Sequence, residues 1–109
     1  MSKRDEGKAP VQLIQPEFVF GLANVLKFGA DKYGPNDWKK NKGVEGMEDR
    51  TFGSVQRHLW SWEKGERFDK ESGINHLLHA ACQLMMLYWY TDCQEREASG
   101  GADENELRS

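Results

Sequence analysis

The sequence predicts an all-α fold, a small helical bundle. Apolar residues recur at helical spacing in two segments, a third segment is almost continuously apolar, and none alternates as a strand does. The 109 residues suit a single domain whose core draws on four Trp, five Phe and three Tyr. We expect this domain to span residues 1–96, with a disordered, Gly-rich and acidic tail over residues 97–109.

The first helix is predicted to begin at Pro16, because the missing N–H of proline is harmless at the first helical position. Apolar residues then follow at helical spacing, namely Phe18, Leu22, Val25, Leu26 and Gly29. The turn-rich stretch 32–38 ends this helix, and residues 39–48 show too little periodicity for anything but a loop.

A second helix is predicted from about Glu48 to Gly65, where the glycine weakens or ends it. Its predicted buried face is the apolar ridge formed by Phe52, Val55, Leu59 and Trp62. The link at residues 69–73 is rich in side chains that cap helices.

The third helix is predicted to begin near Ser72 or Gly73 and to run to about Gln94. It is apolar on nearly all sides from Leu77 to Tyr90, so we expect it to be the central and most buried element. This run is shorter than the ~20 residues of a membrane span, so we expect no membrane partner.

Cysteine use and charge predict the compartment and limit the partners. Cys82 and Cys93 lie 11 residues apart on one helix, which separates them by about 16 Å, too far for a disulfide. Reduced cysteines and a charged start without an apolar leader predict a cytoplasmic protein, in the host cytoplasm if a phage encodes it. The net charge of −3 argues against a duplex nucleic acid as partner.

Two pairs of ionisable residues face each other in the predicted bundle. Glu63 and Glu66 are three residues apart at the end of the second helix, on its buried side, and His76 and His79 have the same spacing on the third. Helices joined by a short link pack antiparallel, which brings the two pairs together. Asp69 and Glu71 lie in the connection beside them.

This cluster predicts a divalent-metal site. Carboxylates on a core-facing stripe are costly unless they are paired or bind metal. Carboxylate oxygens suit Mg²⁺ or Mn²⁺, and imidazoles shift the preference toward Mn²⁺, Co²⁺ or Zn²⁺. The predicted ligands are Glu63, Glu66, Asp69, His76 and His79. The alternative is a group of solvated charges beyond a frayed helix end.

A second set of residues could recognise a nucleotide. Lys32, Tyr33, Trp38 and Lys39 combine cations with aromatic rings, which could clamp phosphate and stack on a base, although a turn with an aromatic plug has the same composition. Arg57 and His58 lie off the apolar ridge and by composition are surface residues that a neighbouring helix or subunit could still use. No adjacent His-Asp pair, Cys-x-x-Cys, Gly-rich phosphate loop or Gly-x-Ser-x-Gly occurs.

Several motifs in fixed order resemble one family. They are Asp5-x-Gly7-Lys8-x-Pro10, Leu13-Ile14-x-Pro16-Glu17, Phe28-Gly29-Ala30-x-Lys32-Tyr33-Gly34, Trp38, Arg57-His58, Trp62, Gly65-Glu66, Asp69-x-Glu71-Ser72-Gly73 and His76-x-x-His79-Ala80. Over about residues 4–95 the chain resembles the phage dATP/dGTP diphosphohydrolase proteins, in their N-terminal-domain family. This family is similar to the all-α nucleoside triphosphate pyrophosphohydrolases of the MazG type.

The resemblance implies a MazG-like fold that hydrolyses dATP or dGTP to the monophosphate and pyrophosphate. MazG-type enzymes hold Mg²⁺ with a Glu-x-x-Glu on one helix, matched here by Glu63 and Glu66, and a Glu-x-x-Asp on the next. Here His76-x-x-His79 stands at the second position, and Asp37 replaces the Asn usual before Trp38. These departures leave the metal and the base contacts open.

The resemblance also implies roles for single residues. Glu66, with Glu63, would orient or deprotonate the attacking water. Lys8 or Lys32 would bind phosphate and Tyr33 or Trp38 would stack on the purine, and we add Arg57 and His58 as further candidates for substrate binding. MazG-type enzymes are dimers or tetramers, so we expect a homodimer or homotetramer. The alternative is a non-catalytic nucleotide- or zinc-binding accessory module.

Overall fold

Three α-helices form the structure, a computed structural model that describes residues 7–98 and the side chains of residues 7–92. They are α1 (Pro16–Tyr33), α2 (Met47–Glu63) and α3 (His76–Ala98), with two short 3₁₀ helices, η1 (Val11–Leu13) and η2 (Asp37–Asn41). Residues 7–98 contain no strand, and the one isolated bridge joins Phe68 and Asn75. The predicted all-α fold is confirmed.

The central element is α3, because both α1 and α2 pack against it. Ala80, Cys82 and Tyr90 are buried along it, as the apolar run predicted. One apolar face of α3 is nevertheless exposed, since Leu84 is 49% and Tyr88 is 61% exposed. Two helices cannot cover the whole circumference of a third, so this apolar face remains at the surface of the described chain.

α1 begins at Pro16, as predicted, and approaches α3 closely at Gly21. A Cβ built on Gly21 would lie only 2.6 Å from Cδ1 of Leu78. Glycine is therefore what allows the two helices to meet here. One turn further on, Val25 is buried in the same interface.

α2 packs on α3 with a face that shares Val55 with the predicted ridge but is rotated away from Phe52 and Leu59. Thr51 and Val55 are buried and His58 is half-buried, whereas Phe52 is 52% and Leu59 is 41% exposed. The buried face therefore carries polar groups that hydropathy alone does not select. The Thr51 hydroxyl is satisfied within the helix, because it donates to the carbonyl oxygen of Met47 at 2.7 Å.

The link between α2 and α3 is a compact turn, and α3 begins at His76 instead of the predicted Ser72 or Gly73. The backbone N–H groups of Glu71 and Ser72 donate to Asp69 Oδ2 at 3.1 and 2.9 Å. Asn75 Oδ1 accepts from the N–H of Leu77 at 2.9 Å and so caps the first turn of α3. Capping by Asn75 explains why the helix starts several residues late.

The remaining expectations concern the membrane, the tail and the thiols. No helix among the described residues is both long and apolar enough to cross a membrane. α3 extends to Ala98, and residues 99–109 of the predicted tail lie outside the described residues. Cys82 is a buried free thiol, and the side chain of Cys93 lies outside the described set.

Candidate functional site

The three histidines of the chain meet between α2 and α3. His58 comes from α2 and His76 and His79 come from the first turns of α3. The rings of His58 and His79 stack with centroids 4.8 Å apart and planes 8° from parallel. His76 meets His58 at a tilt of 44°, with centroids 5.1 Å apart. We call these three residues the histidine cluster.

His76 lies between a carboxylate and a second imidazole. Its Nε2 lies 3.2 Å from Glu66 Oε2, and its Nδ1 lies 2.8 Å from Nδ1 of His58. Because a carboxylate accepts, Nε2 of His76 carries the hydrogen, and in the neutral ring Nδ1 is then an acceptor. His58 Nδ1 donates to it. His76 is only 4% exposed, so its orientation is fixed by these two contacts.

His79 is held by the link and by α1. Its Nε2 lies 2.7 Å from the hydroxyl oxygen of Ser72. The same oxygen accepts from the N–H of Ile74 at 3.1 Å, so the hydroxyl hydrogen is available to donate to His79. The edge of the ring packs against Phe28, with centroids 6.5 Å apart. One nitrogen of His79 is therefore occupied by the protein itself.

Burial and the neighbouring imidazoles favour the neutral forms of His58 and His79. Desolvation, and then the neighbouring imidazoles, lower the pKa of His58 to about 4. Desolvation also lowers the pKa of His79. Burial by itself would raise the pKa of Asp69, but the hydrogen bonds from Ser72 and the nearby imidazoles outweigh it and hold the pKa below its usual value. Neutral imidazoles and an ionised carboxylate are the forms that bind metals.

The donors of this cluster fit a metal that accepts nitrogen. Ligand atoms of His58, Asp69 and His76 all lie within 4.8 Å of one another. Mg²⁺ requires oxygen ligands in near-ideal octahedral geometry, which two imidazoles and one carboxylate do not provide. Mn²⁺, Co²⁺ and Zn²⁺ accept imidazole nitrogen. The residues present therefore fit these three ions and fit Mg²⁺ poorly.

A cavity of about 820 Å³ adjoins the cluster. It lies between α1, η2 and α3, and His79 lines it. Gln83 and Tyr90 follow His79 along α3 and also line it, which agrees with the predicted side of the helix. The aromatic residues Tyr33 and Trp38 line the cavity as well. His79 thus belongs to both the cavity and the histidine cluster.

A lysine at the end of α1 pairs with the link. Lys32 Nζ lies 2.5 Å from Glu71 Oε1, and this hydrogen bond raises the pKa of Lys32 above its usual value. The ammonium also lies over the rings of Phe28 and Tyr33, 5.4 Å from each centroid. Both rings line the cavity, so the cation stands beside it.

Trp38 belongs to an aromatic group beside the cavity. Its ring meets Trp89 and Tyr90 edge to face, with centroids 5.4 and 6.0 Å apart. The Tyr90 hydroxyl donates to the carbonyl oxygen of Trp38 at 2.9 Å. These contacts tie η2 to α3.

The structure brings together only part of the predicted site. Glu66, Asp69 and both predicted histidines converge on the link. Glu63 is exposed, and the expectation that both glutamates lie on the buried face of α2 was wrong, because the helix ends at Glu63 and Gly65 turns the chain with a φ of 106°. Lys8 is exposed and does not line the cavity. Arg57 is exposed, and a Cβ on Gly53 would meet its guanidinium at 3.2 Å.

His58 is where the sequence-based expectation failed most clearly. It was expected at the surface, yet it is half-buried and stacks inside the cluster. The signal was present in the spacing, because Thr51, Val55, His58 and Trp62 share one face at i, i+4, i+7 and i+11. The part played by Ser72 had no signal beyond its place among capping residues.

Comparisons with known proteins identify the family of the chain. A protein of Salmonella phage PMBT28 named dATP/dGTP diphosphohydrolase is 41% identical over 87 residues. The aligned stretch covers 80% of this chain and 28% of the relative, so the chain corresponds to a minor part of that protein. No solved structure matches. The family model described as "dATP/dGTP diphosphohydrolase, N-terminal" matches residues 1–99, and the chain therefore belongs to that family.

Proposed function

We propose that the chain acts in the metal-dependent hydrolysis of purine deoxynucleoside triphosphates, dATP and dGTP, to the monophosphate and pyrophosphate. The observation that carries this proposal is the position of His79, which lines the cavity and belongs to the histidine cluster. A base held in the cavity would direct its phosphates toward the cluster. The name of the phage relative supports the substrate class.

The cavity suits a nucleoside. Its volume of about 820 Å³ lies within the range of roughly 300–1,000 Å³ that small-molecule sites occupy. Tyr33 is 66% exposed and can offer its ring to a base, whereas Trp38 already contacts two aromatic neighbours and would act mainly through its edge. The ammonium of Lys32 would leave its ion pair with Glu71 and bind a phosphate group instead. Lys8, Arg57 and His58 stay predictions as substrate contacts.

The metal would be Mn²⁺ or Mg²⁺, as predicted, with Zn²⁺ as the third candidate. The imidazole nitrogens of the cluster favour Mn²⁺ or Zn²⁺ over Mg²⁺. Of the predicted ligands, Asp69 and His76 would hold the ion. Glu63, Glu66 and His79 stay predictions as ligands. When bound, the ion would neutralise phosphate charge and lower the pKa of the attacking water. Glu66 would orient that water or accept its proton.

We further propose that the protein self-associates as a homodimer or homotetramer in the cytoplasm, without a membrane or duplex nucleic acid as partner. The apolar face of α3 at Leu84 and Tyr88, which the described helices leave exposed, supports self-association. The net charge of −3 supports the exclusion of duplex DNA.

The test is a product assay. The protein is incubated with dATP, dGTP, ATP and GTP, each with Mg²⁺, Mn²⁺ or Zn²⁺, and the products are separated by ion-exchange chromatography. We expect dAMP or dGMP with pyrophosphate. Glu66→Gln should abolish turnover, and Glu45→Gln, an exposed glutamate in the loop before α2, should leave it unchanged. Release of no product from any substrate would refute the proposal.

A second candidate function follows from the alignment length. Because the aligned stretch is 28% of the phage relative, the hydrolysing part of such proteins can lie outside it. The chain would then bind the nucleotide, or a zinc ion, without cleaving it. Calorimetric titration with dATP decides between the two, since binding without product formation identifies this function.

A further inference from the structure

We propose that His58, His76 and Asp69 form a binding site for one transition-metal ion of the Zn²⁺ or Co²⁺ type, with Glu66 positioning His76 from outside. The site differs from the sequence prediction in its ligands, since His58 is added and the predicted ligands Glu63, Glu66 and His79 are left out. The inference concerns the same cluster as the proposed function but does not require nucleotide hydrolysis.

The two imidazoles already point nitrogen toward nitrogen. Nδ1 of His58 and Nδ1 of His76 lie 2.8 Å apart. Two nitrogens on a tetrahedral zinc ion, each about 2.0–2.1 Å from the metal, would lie about 3.4 Å apart. Small rotations of the two rings therefore open the space for an ion, which would replace the shared hydrogen atom between them.

Asp69 supplies the third ligand from the link. Both of its hydrogen bonds from the backbone, from Glu71 and Ser72, end on Oδ2. The carboxylate is thereby held in place, and Oδ1 is the atom that would turn to the ion. Its ligand atom lies within 4.8 Å of those of the two histidines.

Glu66 acts on His76 through the other ring nitrogen. Its Oε2 lies 3.2 Å from Nε2 of His76. A carboxylate at this position fixes the tautomer that leaves Nδ1 free for the metal and makes that nitrogen more basic. The arrangement is typical of histidines that bind metal, and it assigns Glu66 a positioning role.

His79 lies outside the coordination shell. Ser72 occupies its Nε2, and its ring lies flat against His58, which limits how far His58 can turn. Three protein ligands leave at least one position of a tetrahedral ion open to water or to an anion, as in catalytic zinc sites. Nitrogen donors favour Zn²⁺ and Co²⁺ over Mg²⁺.

The first experiment titrates Co²⁺ into the metal-stripped, untagged protein without nucleotide and follows the visible ligand-field absorption. We expect intense bands that saturate at a single equivalent. His58→Gln and Asp69→Asn should lose them, whereas Asp31→Asn, an exposed aspartate paired with Lys27 on α1, should keep them. Glu66→Gln should keep the bands but bind about 10- to 100-fold more weakly.

The second experiment does not depend on whether a variant folds. Long-range ¹H–¹⁵N spectra of the unaltered protein resolve the ring nitrogens of its three histidines. On addition of Zn²⁺, Nδ1 of two rings should move to the metal-bound position while the third ring keeps its pattern. Absence of any shift, or metal binding by His79, overturns the inference.

The two proposals fail separately. If Co²⁺ and Zn²⁺ leave all three rings unchanged while dATP is still hydrolysed, the metal site is wrong and the proposed function stands. If the ion binds at His58 and His76 while no nucleotide is cleaved, the metal site stands and the hydrolysis is wrong.

Discussion

The ring of His58 stacks on the ring of His79, with an angle of 8° between the two planes and centroids 4.8 Å apart. One ring comes from the middle of α2 and the other from the first turns of α3. Burial disfavours a charge on either ring, and the two rings repel each other when both are charged. The packing of α2 on α3 therefore depends on keeping this pair neutral.

We expect stability to fall as the pH falls through the range in which histidines titrate. His58 has a folded pKa of about 4, against an unfolded value of 6.5. Above pH 6.5 the His58 imidazole is neutral in both the folded and the unfolded state, and stability is fully present. Between pH 6.5 and about 4, His58 binds a proton in the unfolded chain but not in the folded chain. The free energy of unfolding therefore decreases as the pH falls through this range.

Urea denaturation at several pH values, in the presence of a chelator, measures this loss. In the variant His58→Gln, the free energy of unfolding should depend less steeply on pH between pH 6.5 and 4. An unchanged slope in the variant would show that the acid sensitivity originates elsewhere.

The close approach of Gly21 and Leu78 gives a prediction with a matched control. Gly21→Ala places a Cβ 2.6 Å from the Leu78 side chain and should lower the free energy of unfolding by about 1–3 kcal/mol. Gly29 lies two turns later on the same helix with nothing within 4 Å of a built Cβ. Gly29→Ala should therefore stabilise the protein by up to about 1 kcal/mol. Equal effects of the two variants in chemical denaturation would contradict the helix crossing described here.

Removing a single hydroxyl tests the connection between η2 and α3. Tyr90→Phe deletes the donor to the carbonyl oxygen of Trp38 and should lower the free energy of unfolding by about 1 kcal/mol. The control is Tyr88→Phe, two residues earlier on the same helix, where the side chain is 61% exposed. Thermal and urea unfolding should show a change in the first variant and almost none in the second.

Lys32 should contribute to nucleotide affinity through its charge. Because the ammonium stands beside the cavity, Lys32→Met should weaken dATP binding by about 10-fold, as expected for loss of a charged hydrogen bond. Lys64→Met, an exposed lysine just after α2, serves as the control of equal charge. Isothermal calorimetry measures both. Equal affinities in the two variants would exclude a phosphate contact at Lys32.

Local rules predicted the helices well because their signals are local. Pro16 marked the start of α1, and the apolar run of α3 identified the central helix. The meeting of Glu66 with His76 also followed from a short link between antiparallel helices. These inferences need only spacing and chain length.

The face of α2 could not be predicted in the same way. Hydropathy selects Phe52 and Leu59, but the face against α3 carries Thr51 and His58, whose polar groups are satisfied by partners distant in sequence or by the helix itself. The separation of Glu63 from Glu66 depended on the left-handed conformation of Gly65. The spacing within α2 allows either face to be the buried one, and tertiary packing decided between them.

The pair of Lys32 and Glu71 has a consequence for any anion that approaches the cavity. Glu71 is a tethered competitor, present at a high effective concentration that dilution does not reduce. If Lys32 binds phosphate as proposed, an anion of several charges, such as a triphosphate, would displace Glu71, and Glu71 would in turn displace an anion of fewer charges. The carboxylate of Glu71 would thus promote the release of a product that carries fewer charges than the triphosphate.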